Sequence, residues 1–85
     1  MQQEKIDRAV EIMDRNIKCY QMIMSEKNGR IIQELEVFKD AISNNQMTFQ
    51  YSKSLLYNET FEILKEAGIE IDGDGKGTIY LYPID

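Results

Sequence analysis

The chemically richest stretch of the chain is Asp72-Gly73-Asp74-Gly75-Lys76-Gly77, where two carboxylates and a lysine alternate with glycines. Alternating side-chain oxygens are what a calcium loop uses, but a loop of the EF-hand kind closes with a bidentate Glu at its twelfth position. With Asp72 and Asp74 as third and fifth ligands, Glu70 is the first and Leu81 falls where the closing carboxylate belongs. The glycines do not form a phosphate loop either, because that motif runs from a strand into the start of a helix. Here a strand-like segment lies on both sides. The stretch therefore reads as a hairpin turn, in which Asp and Gly supply the positive φ that turns require. No metal site is expected.

The chain contains no histidine, so Ser-His-Asp and Cys-His nucleophile systems cannot be assembled. Cys19 lies in a helical apolar pattern without a base or a cation on its face, and is expected to be a small buried hydrophobe. The carboxylate pairs Glu34 with Glu36 and Glu62 with Glu66 are expected on solvated faces. Asn58-Glu59-Thr60 matches a glycosylation sequon, but it falls inside a helical pattern. The expectation is a protein that is not an enzyme and carries no cofactor.

Eighty-five residues, 42% hydrophobic and 29% charged, describe one folded domain over residues 1–85. A single cysteine excludes an internal disulfide, and Met1 to Asp7 is polar rather than a leader. No apolar run is long enough to cross a membrane. A cytoplasmic protein with no membrane partner is expected. Residues with AT-rich codons (Ile, Lys, Asn, Tyr, Phe, Met) far outnumber those with GC-rich codons (Gly, Ala, Arg, Pro). That skew points to a low-GC genome, a bacterium or one of its phages or mobile elements.

These residues must be positioned by an α+β fold of three helices and a C-terminal β-hairpin. The first helix is predicted over about Gln3 to Lys27. Ile6, Val10, Met13, Ile17, Tyr20 and Met24 form one heptad seam, and Ala9, Ile12, Asn16, Cys19 and Ile23 form a second beside it. Asn28-Gly29 is read as the helix stop, and Arg30 to Ser43 as a second helix that closes an αα-hairpin. Met47 to Tyr51 alternates and would widen the C-terminal hairpin into a small three-stranded antiparallel sheet. A third helix is predicted over Lys53 to Ala67, with Ser52 or Ser54 as N-cap and Gly68 as the left-handed stop. The hairpin follows, with Ile69 and Ile71 inward, Glu70 and Asp72 outward, and Thr78 to Tyr82 returning.

The order helix, strand, glycine-rich turn, strand over the last 35 residues or so resembles the back half of a winged-helix domain. That resemblance would make Lys53 to Ala67 a DNA-reading helix and Gly73 to Gly77 the wing tip of a transcriptional regulator. Charge opposes it. From Lys53 onward three lysines stand against seven acids, and the whole chain carries -5, whereas DNA affinity rests on cations at phosphates. The favoured reading is a small acidic, non-catalytic protein that regulates a partner by binding it. Two surfaces are expected. Glu70, Asp72, Tyr80 and Tyr82 share the outer hairpin face and would meet a partner with a basic surface. Two wide seams on one helix exceed what a small domain covers, so Ile12, Asn16, Cys19 and Ile23 are expected in a homodimer interface. Asn16 would set the register there.

Overall fold

The computed structural model describes residues 1–84. Helix α1 (Gln3–Gln21) and helix α2 (Glu26–Ser43) form an antiparallel hairpin, followed by strand β1 (Thr48–Gln50) and a 3-10 turn (Lys53–Leu55). Helix α3 (Asn58–Glu66) then leads into strands β2 (Ile69–Gly73) and β3 (Thr78–Pro83). The sheet is antiparallel with order β1-β3-β2, so the last strand is central. This is the α+β architecture that the apolar periodicities describe, with β1 widening the hairpin to three strands.

The first helix is shorter than its seams suggest. It stops at Gln21, and the break falls at Met22 to Ser25 rather than at Asn28-Gly29. The physical reason is Ser25, which is extended (φ -145°, ψ 167°) and whose Oγ accepts the Asn28 N–H at 3.0 Å. That N-cap satisfies a donor that no helical carbonyl can reach. Asn28 Nδ2 donates back to the Ile23 carbonyl at 2.6 Å and pins the turn. Gly29 therefore sits inside the first turn of α2, and not at a left-handed helix end. At its other end α2 stops at Ser43, as the sequence predicts: Asn45 takes φ 53°, and the Gln46 N–H reaches the Ala41 carbonyl at 2.8 Å.

The third helix is also interrupted. Leu56 and Tyr57 are extended between the 3-10 turn and α3, so neither Ser52 nor Ser54 caps α3. Their hydroxyls instead lie 2.9 Å from each other. The interruption lets Leu56 turn into the core and presents the Tyr57 N–H to a carboxylate on α2. Glu34 is that carboxylate. It is 5% exposed, and its Oε1 accepts the Tyr57 N–H at 3.2 Å and the hydroxyl of fully buried Thr60 at 2.6 Å. The expectation of a solvated Glu34 is thus overturned: it caps α3 from a neighbouring helix. Glu36, Glu62 and Glu66 are exposed as expected.

The core lies between the helices and one face of the sheet. Met13, Ile31, Leu35, Phe38, Ile42 and Leu64 pack with Ile69, Ile71, Ile79 and Leu81, all buried. The Phe38 and Phe49 rings meet edge to face at 5.4 Å, which fastens β1 to α2. Gly68 ends α3 at φ 81°, where a Cβ would be strained, and the Ile84 N–H closes on its carbonyl at 2.7 Å. On α1 and α2, Lys39 Nζ bonds Asp14 Oδ1 at 2.7 Å. No helix among the described residues is long and apolar enough to cross a membrane.

Removing the Glu34 carboxylate strands a buried hydroxyl and an amide. Glu34→Ala is expected to lower unfolding stability by about 2 kcal/mol, read as a shift of the urea midpoint. Glu34→Gln, which keeps an acceptor, should lose less.

Candidate functional site

The outer face of the sheet is built by alternation. In β2 the odd residues Ile69 and Ile71 are buried and Glu70 and Asp72 exposed; in β3 Ile79 and Leu81 are buried while Tyr80 and Tyr82 point the other way. Register places Glu70 opposite Tyr82 and Asp72 opposite Tyr80. Thr48 of β1 flanks Tyr80 from the other side. Central Tyr80 is therefore half-buried between two neighbours, whereas Tyr82 near the strand end is 50% exposed. All four sequence-predicted residues stand on one face, as two cross-strand acid–tyrosine pairs. The tyrosines do not pair with Phe49 or Tyr51, which lean on the core from the opposite side.

The turn joining these strands is held by Asp74. Its Oδ1 accepts the Lys76 N–H at 2.7 Å and the Thr78 N–H at 3.2 Å. Those backbone donors, that of Lys76 foremost, hold its carboxyl below the ordinary Asp value of 3.8. Asp72 Oδ1 accepts the Gly73 N–H at 2.8 Å, with Lys53 Nζ 3.9 Å away. Both acids of the calcium-like motif are thus engaged with the turn and its neighbour. Among the described residues no three carboxylate or thiol groups stand together as a metal site would need. Space at Gly73 is tight: a Cβ there would lie 3.1 Å from the Lys53 Cβ, which would have to give by a few tenths of an ångström.

The residues expected in a dimer interface separate. Ile12 is 6% exposed and belongs to the core of its own chain. Asn16 is half-buried, and its Nδ2 donates to the Ile12 carbonyl one turn back at 2.9 Å. Cys19 is exposed, contrary to the expectation of a buried hydrophobe, while Ile17 is buried and Tyr20 packs on the core from the same turn, so the second seam faces away from the core there. Ile23 is 75% exposed and lies in the turn between the helices.

That turn is the surface that periodicity did not single out. Met22, Ile23 and Met24 are 82%, 75% and 66% exposed in succession. The signal was present as an apolar triplet just before a capping serine. A predicted helix running through it hid the exposure. The base of this knuckle is anchored by Lys27, which pairs with Glu59 of α3 and lies 5.7 Å from the Tyr57 ring centroid. The hydrogen bond to Glu59 raises the Lys27 pKa and lowers that of Glu59.

Comparison with protein-family models, with curated proteins and with solved structures finds no match to this chain.

Two outcomes follow for the hairpin turn. A carboxylate held below its ordinary value supports the turn when ionised, so its contribution is present above about pH 3.8 and is lost as pH falls through the lower, folded value. Amide exchange at Lys76 and Thr78 should lose protection as acid is added, and Asp74→Ala should show the weakened turn already at neutral pH. Separately, millimolar Ca²⁺ should leave the melting temperature unchanged; an increase reversed by EDTA would contradict this account of the turn.

Proposed function

We propose that this is a small acidic, non-catalytic interaction protein that regulates a partner by docking it on the outer sheet face. The observation that carries the reading is the pairing of Glu70 with Tyr82 and of Asp72 with Tyr80 on one uncovered surface. Tyrosine offers broad contact area with little entropy to lose and a polar tip, and flanking acids favour a basic partner surface. The exposed ends of the second seam, Cys19 and Ile23, support association with a second copy of the chain. A cytoplasmic setting and an origin in a low-GC bacterium or phage rest on composition.

The winged-helix reading finds less support. Exposed positions of α3 include Glu62 and Glu66 beside Lys65, and Lys53 has Asp72 at 3.9 Å. A helix so furnished is poorly suited to phosphates.

The test is Tyr80→Ser with Tyr82→Ser. Both residues lie outside the core, so the melting temperature should fall by only a few degrees. Salt-sensitive capture of a basic protein by the immobilised chain, from an extract of its source organism, should be lost. Unfolding of the double variant, or capture that survives it, would refute the reading.

A further inference from the structure

The chain carries a second uncovered surface whose chemistry is the inverse of the first. The knuckle at Met22-Ile23-Met24 is apolar and exposed. Of the four cations from Arg15 to Arg30, Arg15 lies 3.9 Å from Glu11 and Lys27 pairs with Glu59, so Lys18 and Arg30, against Glu26, carry the positive charge beside the knuckle, although the whole chain carries -5. Lys18 closes the last turn of α1, and Arg30 stands exposed on α2. The outer sheet face offers the counterpart: two tyrosines on the central strand beside two carboxylates on the edge strand.

We propose that the partner of the sheet face is the knuckle of a second copy of this chain, and that two copies exchange this contact reciprocally about a two-fold axis. The inference rests on the reading of the sheet face as a docking surface, and it names the occupant. Charge selects the pairing. Two knuckles brought together set cations against cations, and two sheet faces set Glu70 and Asp72 against their own copies; only the crossed contact joins opposite signs. Chemistry agrees with charge, since methionine is adaptable and packs favourably on aromatic rings. Area argues for reciprocity. A three-residue knuckle covers only a few hundred Å², whereas a stable interface buries at least about 1,000 Å² in total. Two crossed contacts in one closed dimer approach that size and leave neither surface open. The geometry also explains why the second seam ends uncovered, because Cys19 borders the knuckle and Ile23 is its central residue.

The experiment uses sedimentation velocity on the full chain over micromolar to hundreds of micromolar concentration. One variant is altered at the knuckle, Met22→Ser with Ile23→Ser. The other is altered at the sheet, Glu70→Lys with Tyr82→Ser. All four positions are exposed, and thermal unfolding confirms that each variant is folded. The wild type should dimerise, and each variant alone should dissociate at least about tenfold more readily, a loss of about 1.4 kcal/mol or more. A wild type that stays monomeric overturns the proposal. So do growth beyond the dimer and a dimer that survives either variant. If self-association fails while the Tyr80 and Tyr82 substitutions still abolish capture of a foreign basic partner, only the identity of the occupant falls.

Discussion

The carboxylate of Glu34 is the interaction on which the arrangement turns. A charged group that is 5% exposed is tolerable only with strong partners. Here the partners are the amide that opens α3 and the hydroxyl of Thr60 within it. Negative charge at a helix N-terminus also meets the favourable end of the helix dipole. The consequence is positional. α3 is only nine residues long, marginal as an isolated helix, and its start is dictated by α2 rather than by its own sequence. From that fixed start, Ile63, Leu64 and Ala67 seat against the core, and Gly68 releases the chain directly into β2.

With α3 placed on the inner side, the sheet has helices on one face only. The molecule measures 32 × 31 × 19 Å, the thickness of two layers. A two-layer domain leaves one face of its sheet open, and an αα-hairpin longer than the elements beside it leaves its tip open. Both exposed surfaces therefore follow from the two-layer arrangement of the described residues. Their opposite charge does not follow from that arrangement. It comes from a sequence that sets Lys18 and Arg30 near the knuckle and Glu70 and Asp72 on the outer sheet face.

Much of this was legible beforehand where a period was long or a stop was unambiguous. The seams of α1 identified Ile6, Met13 and Ile17 as core, and alternation assigned both faces of β2 and β3 residue by residue. Gly68 and Asn44-Asn45 marked helix ends because their backbone preferences leave few alternatives. The failures arise where apolar spacing alone carries too little information. Heptad spacing carried the first helix through Met22 to Met24 because spacing contains no information about Ser25 capping the next helix. The continuous pattern from Lys53 to Ala67 hid the break at Leu56 and Tyr57, since the carboxylate that makes it worthwhile lies on α2. The seam predicts Cys19 to be buried, but spacing does not say which of two adjacent seams the core covers, and in the last turns of α1 it covers the one that carries Ile17 and Tyr20.

The crossed contact can be observed at the level of single residues, because Cys19 is the only thiol and stands exposed next to the knuckle. A nitroxide attached to Cys19 of an unlabelled chain, mixed with ¹⁵N-labelled chain carrying Cys19→Ser, reports only contacts between copies. The account predicts that amide signals of Glu70, Asp72, Tyr80 and Tyr82 in the labelled chain broaden, and recover when the nitroxide is reduced. Broadening confined to the α1–α2 turn, or none at all at concentrations where the chain self-associates, would contradict it.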